Sequence, residues 1–382
     1  MPIILNIKNF DLFHIDRWSS RFEPEDHLAD WQALGMDVPQ PFERVTFFAA
    51  QQHGSAAPIA TGRSGTDVKP YSWSLSDIIA AGLLEYLFAE VDANDSNFSA
   101  LVLDIAASLT HEHTETDGSV TLSLRSGDNI PATFKDLLRW VQQQPLPNHH
   151  AATWQKLYRR LLKLIYESKG VLRKDDQKGH PLKLVRADTS DPIVVDLAAL
   201  AGEPELQRFV LATVLRQLVT ARTGSNAVKG LVYLVMVDEL NRFAPRGARD
   251  PITRLVETVA AEMRSQGIIL LGAQQQASKV SERVVENAAI RVLGRTGSLE
   301  LASSTWRFLS DSARRKAENL TIAEKLVVQD NFREPMHVRV PFPAWAMNPR
   351  EASLRPPDGM GTADAVEGDG NASDDFSDII DS

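Results

Sequence analysis

The residues best equipped for chemistry lie in the segment LVYLVMVDELNRFAP. Seven uninterrupted apolar residues, Leu231 to Val237, end in the adjacent carboxylates Asp238 and Glu239. Such a run, with several β-branched residues, predicts a buried strand, and the carboxyl end of a strand is where open parallel sheets bind ligands. Two acids at that point form a Walker B arrangement. The first can hold a magnesium ion through its water shell, and the second can orient or deprotonate a water for in-line attack on a γ-phosphate. A plain buried strand followed by an acidic turn fits these residues equally well, so the decision rests on what surrounds them.

The following elements favour the chemical reading. Asp250 and Pro251 make an N-cap and first-turn pair. Ile252, Leu255, Val256, Val259, Ala260 and Met263 then mark one buried helical face, which Gly267 terminates. Arg264 sits just outside that stripe, 25 residues after Glu239. The run GIILLGAQQQ predicts a second strand ending in polar residues, so two adjacent strands end in DE and in AQQ.

Further upstream, PIILNIK, VTFFAA and PIVVDL read as strands, the last ending in Asp196, and ELQRFVLATVLRQLVTAR reads as a helix. Apolar strands separated by helices imply a parallel sheet covered on both faces. From Ser74 to about Lys169 the apolar spacing is helical, in SLSDIIAAGLLEYLFAEV, FSALVLDIAASL, TFKDLLRWVQQ and TWQKLYRRLLKLIYES. The stretch DGSVTLSLRSGDN is a hairpin candidate within it. EKLVVQ and MHVRVPF are a closing pair of strands. The expected organisation is a first part of the core over 1–73, an all-α insertion over 74–185, the rest of the core over 186–348 and an acidic tail over 349–382.

At 382 residues, with 43% apolar and 24% charged residues, the chain has ordinary globular composition, and its length predicts two to three domains. It has no cysteine, which excludes thiolate nucleophiles, Cys-ligated zinc and iron–sulfur clusters. The longest apolar run is 7 residues, against roughly 20 for a membrane span, and no leader pattern opens the chain; a cytoplasmic location is expected. The net charge of -9 is concentrated in residues 351–382, which hold nine acids and one base. That tail is expected to be disordered. Between Arg264 and Arg350 thirteen Lys or Arg face eight Asp or Glu, so the C-terminal part of the folded body is basic.

Taken together, VDELNRFAP, AEMRSQGIILLGAQQ and SERVVENAAIRVLGRTG resemble the C-terminal half of the HerA-type ATPases, within the wider group of FtsK-like translocases and conjugative secretion ATPases. The resemblance extends to ILNIKNFDL, PIVVDLAAL and PFPAWA. It implies an α/β fold: a RecA-like parallel-sheet P-loop ATPase core carrying an all-α insertion. It also implies ATP and Mg²⁺ as cofactors, with Asp238 holding the metal shell, Asp238 and Glu239 contacting nucleotide, Glu239 acting on water, Gln274 as the polar sensor and Arg264 as an arginine finger reaching a neighbour's nucleotide. For the sensor, Gln275 is one residue away in register. The protein implied by the resemblance is a homo-oligomeric ring, a hexamer, that translocates duplex DNA together with a nuclease or effector.

One element of that family is missing. No Gly-Lys dipeptide occurs in the 382 residues, so a G-x-x-x-x-G-K-[ST] phosphate loop cannot be present. GRSGTDVK is the nearest imitation, and Pro70 stands where a hydroxyl belongs. In the family the loop precedes the strand resembling PIILNIK. The sequence is therefore expected to be an N-terminally incomplete piece of an ATPase; a loop supplied by a separate chain, or loss of hydrolysis, are the alternatives. The rival functions are a non-catalytic assembly subunit and a conjugative or secretion-type ATPase. His111, Glu112 and His113 lack metal-ligand spacing and read as a solvated loop. The pair His149 and His150 is equally bland. Arg291 and Arg295 could line a DNA-facing or intersubunit surface or simply a solvated one, and the basic run after Arg159 suits either a nucleic-acid patch or an amphipathic helix.

Overall fold

The computed structural model describes residues 1–9, 11–64, 66–89, 96–116, 120–185, 189–223, 231–358 and 360. The chain enters directly on β1 (Pro2–Asn6), whose Ile3, Ile4 and Leu5 are all buried, then passes through β2 (Trp18–Ser19), α1 (Pro24–Gln32), β3 (Thr46–Ala50) and β4 (Val68–Tyr71). After a helical stretch come β7 (Ile193–Asp196), the helix α7 (Pro204–Arg222), β8 (Tyr233–Val237), α8 (Pro251–Glu262) and β9 (Ile268–Gly272).

Strands β4, β3, β7, β1, β8 and β9 form one sheet in that order, and every pairing is parallel. β1 is thus an interior strand, hydrogen-bonded to β7 and β8, which is why its sequence is apolar on both faces. The molecule is α/β, as the alternation of short apolar strands and longer helices predicts. α7 is buried on nearly every side from Leu206 to Leu215, including Gln207, Arg208 and Thr213, as befits a helix enclosed by packing.

The stretch between β4 and β7 contains α2 (Leu75–Ala80), α3 (Leu84–Leu87), α4 (Ser96–Leu109), the antiparallel hairpin β5 (Thr110–Thr114) and β6 (Val120–Leu124), then α5 (Phe134–Gln142) and α6 (Ala151–Glu167). It is therefore not wholly helical. The first predicted helix is also divided, because Gly82 takes φ +62 and ends α2. α2 and α5 begin in complete capping boxes, Ser74 with Asp77 and Thr133 with Asp136. Leu101, Ile105, Leu137, Leu157 and Leu161 share one apolar cluster with Ile3, Val195 and Tyr233. This stretch thus packs into the sheet's own core.

Beyond β9 lie α9 (Glu282–Glu286), β10 (Ile290–Leu293), α10 (Ser298–Leu301), α11 (Asp311–Glu318), β11 (Glu324–Gln329) and β12 (Met336–Arg339). β10, β11 and β12 form a separate antiparallel sheet over a small core of Leu293, Trp306, Leu309 and Leu326. β10 is not among the strands expected from the sequence. The tail also starts later than position 349. β13 (Ala352–Ser353) pairs with β2, and Glu351 is buried, held by Arg21 at 3.2 Å, by Asn348 at 2.5 Å and by Ser19 at 3.4 Å. An acid with those donors folds rather than repels. The expected disorder beyond that point concerns 361–382, which lie outside the described residues. No helix among the described residues is long and apolar enough to cross a membrane.

Candidate functional site

Register brings the chemistry together. Asn6 pairs with Asp196, Leu5 with Val237, and Val237 with Gly272. The carboxyl ends of β7, β1, β8 and β9 are therefore level, and they carry Asp196, Asn6 with Lys8, Asp238 with Glu239, and Gln274 respectively. The two acids and the predicted sensor thus issue from adjacent strands at one rim of the sheet.

The turn after β8 is unusual in its backbone. Glu239 adopts φ 48, ψ 46, the left-handed region, which costs a non-glycine residue about 1–2 kcal/mol. Three backbone bonds impose it: Leu240 N–H donates to Ala273 at 3.0 Å, Ala273 N–H donates to Val237 at 2.9 Å, and Arg242 N–H donates to Glu239 at 2.8 Å. The Glu239 N–H donates to Asp238 Oδ1 at 2.8 Å. Gly272 permits the turn to lie this close, since a Cβ there would stand 2.3 Å from Leu240 Cδ2. Ala273 is the clamp, and Gln274 follows it. Gln274 is half-buried with its Oε1 enclosed and without a hydrogen-bond partner, whereas Gln275 is exposed.

Lys8 was not singled out by the sequence. Its ammonium donates to Glu239 Oε1 and lies 3.9 Å from Asp238 Oδ2. The signal that could have found it is topological: β1 neighbours β8, so a base two residues beyond β1 meets the acids that end β8. Asp11 lies in the same field. Burial raises its carboxyl above the ordinary value and nearby Asp238 adds to this, while an Asn9 hydrogen bond and Lys8 oppose the shift.

Asp196 proves to be a turn-forming residue. It is fully buried and accepts from Asn6 Nδ2 at 3.0 Å and from the N–H groups of Ala198 and Ala199 at 3.1 and 3.3 Å. Burial pushes its carboxyl up to about 6, against those hydrogen bonds. Arg264 lies elsewhere. It is exposed in the short 3-10 turn Met263–Gln266 that leads into the amino end of β9, whereas Gln274 follows the carboxyl end. The length of β9 separates it from its own subunit's acids, roughly 15 Å at the rise of a strand.

The remaining candidates are structural. His111, Glu112 and His113 lie on β5 rather than in a loop, with the two imidazoles edge to face at 4.2 Å. His149 bonds Asp104 at 2.8 Å, Arg160 lies over Phe98 at 4.5 Å, and Arg291 donates to Val285 C=O at 3.1 Å while covering Phe308. GRSGTDVK runs into β4, at the edge of the sheet opposite β9, so Lys69 is a strand residue. Among the described residues no group of three His, Cys, Asp or Glu could hold a metal ion. The donor set fits only one side of a hydrated cation's shell: the Asp238 carboxylate, 45% exposed at the strand's end, is an oxygen donor of the type magnesium takes.

The chain matches no family model and no curated protein. Solved structures do resemble it. VirB4 of Thermoanaerobacter pseudethanolicus matches with a TM-score of 0.50 and 15% identity over 89% of this chain and 81% of that one. The bacterial conjugative coupling protein TrwBdeltaN70 matches with a TM-score of 0.51 and 10% identity, over 90% of this chain and 79% of that one. At such identities the likeness is one of fold, the RecA-like α/β arrangement on a parallel sheet.

Proposed function

We propose that this chain is the acid-bearing part of an ATP-driven translocase subunit of the HerA/FtsK type, which hydrolyses ATP between the subunits of a ring, a hexamer by resemblance, while moving duplex DNA. The observation that carries the reading is the level alignment of Asp238, Glu239 and Gln274 on adjacent strands, in a fold shared with VirB4 and TrwBdeltaN70. Glu239 is the residue that takes the proton of, or orients, the attacking water. Its backbone is fixed by an imposed turn at the end of β8, and such preorganisation is what electrostatic catalysis requires. Asp238 faces solvent and would carry the water shell of Mg²⁺, whose contribution when bound is to neutralise charge on the phosphates. Gln274, with its enclosed Oε1 in want of a donor, reports the state of the site through Ala273, which is bonded to both sides of the acid turn.

The phosphate cradle comes from outside these 382 residues. Arg264 acts in trans: its exposure and its place at the opposite end of β9 suit contact with a neighbour's nucleotide rather than its own. A second reading, a non-catalytic assembly subunit, is favoured by the absent Gly-Lys dipeptide. A conjugative or secretion-type motor would use the same core on another polymer.

The test is to isolate the complex that carries this chain from its native cell through a tag on the chain, and to measure ATP hydrolysis with and without duplex DNA. Hydrolysis that falls at least about a hundredfold with Glu239→Gln, a loss of the size removed with a general base, supports the motor. A complex without hydrolysis, or one indifferent to the substitution, leaves the assembly subunit. Mixing wild-type and Arg264→Ala subunits checks the shared site. Loss of activity steeper than dilution is expected; strict proportionality would end the trans assignment.

A further inference from the structure

The rim of the sheet holds a cation of its own. Lys8 Nζ donates to Glu239 and stands 3.9 Å from Asp238, so one ammonium spans both carboxylates. No other basic side chain among the described residues forms an ion pair with either acid. The presentation of Lys8 is firm at its base and free at its tip. Ile7 before it is buried, and Asn6 Nδ2 donates both to Asn9 C=O at 2.8 Å and to Asp196 at 3.0 Å, which ties the turn beyond β1 to β7. The side chain itself is 41% exposed and ends in a flexible four-carbon stem.

We infer that Lys8 is a resident, displaceable counter-ion of the acid pair, which keeps Asp238 and Glu239 from engaging a divalent cation until its ammonium is drawn away. Two carboxylates on consecutive residues repel each other unless a positive charge is shared between them, and a monovalent ammonium in that position competes directly with a divalent ion for the same oxygens. An ammonium on a long stem can leave for a stronger anion, and the polyphosphate of a nucleotide is such an anion. Metal binding and nucleotide binding would then be coupled through one side chain. Lys8 acts here through the acids, as a positioning residue. The inference rests on the reading of Asp238 and Glu239 as the acids of the site.

The experiment measures Mn²⁺ binding to the 382-residue chain without nucleotide, by the electron paramagnetic resonance of the free ion. Lys8→Met should bind Mn²⁺ about tenfold more tightly than the wild type, the gain being limited by the exposure of the pair. Lys8→Arg, which keeps the charge, should stay near the wild type, and adding Asp238→Asn and Glu239→Gln to Lys8→Met should abolish the gain. Equal affinity of Lys8→Met and wild type, including no detectable binding by either, overturns the inference. So does a gain that survives loss of both acids, or one that Lys8→Arg reproduces. Because no nucleotide is present, failure here is separate from failure of the ATPase reading, which Glu239→Gln tests through hydrolysis.

Discussion

At the level of single residues, the site's rim contains two carboxylates in opposite situations. Asp238 is solvated and Asp196 is not, although both close a strand of the same sheet. Burial raises Asp196 to about 6, above its value of 3.8 in an unfolded chain, so between those values the folded state binds more protons than the unfolded one. Stability must therefore fall as pH rises through that window, and the cost is fully present above the folded value. A difference of about two units corresponds to roughly 2–3 kcal/mol. Asp196→Asn removes the titration while keeping an acceptor for Ala198 N–H. Chemical denaturation at pH 4.5 and at pH 7.5 should show the variant gaining on the wild type by about 2 kcal/mol at the higher pH. A pH-independent difference would mean that Asp196 is ionised without penalty.

The elements that hold the site are fixed by polar contacts that the sequence discloses unevenly. Asp250 caps α8, accepting from the N–H groups of Ile252 and Thr253 at 2.9 and 3.1 Å, and it also pairs with Arg208 of α7 at 2.7 Å, with both side chains almost wholly buried. Asp250→Ala would remove the cap and leave Arg208 as an uncompensated buried charge, a loss of about 3–5 kcal/mol. Asp250→Ser would restore the cap alone, worth about 1 kcal/mol, and the unfolding free energies of the two variants from urea titration should differ by that amount. The cap was legible because Asp-Pro ahead of an apolar stripe is a local signal. Its partner was not, because Arg208 lies 42 positions earlier in a helix whose burial on all sides erases periodicity. The same division explains the site itself. Asp238, Glu239 and the polar end of β9 were readable from apolar runs that stop abruptly, and their alignment followed once the strands were taken as adjacent. Lys8 required knowledge that β1 lies beside β8, and β10 was missed because Ile290 and Val292 are exposed alternately with Arg291, a pattern without a buried run.

On the scale of the whole molecule, the sheet is finished on one side and open on the other. β9 is its last strand, and no partner covers its outer edge among the described residues. Leu234 pairs with Ile269 and Met236 with Leu271, so these four side chains share one face, and three of them, Met236, Ile269 and Leu271, are 38–43% exposed. Parallel sheets are ordinarily covered on both faces, and an unpaired apolar edge is a template for association. The opening adjoins the rim with Asp238, Glu239 and Gln274, the place where the proposed phosphate cradle is wanting. One strand paired to β9 with one helix over Met236 and Leu271 would close the sheet, cover the face and deliver the loop between them to the acids. The isolated chain should consequently self-associate. Replacing Ile269 and Leu271 together by Lys should lower the sedimentation coefficient measured at high protein concentration while changing unfolding stability by no more than about 1 kcal/mol, the span of strand propensity at an open site. Loss of folding in that variant would mean the face is already packed in solution, and the cradle would have to approach from another direction.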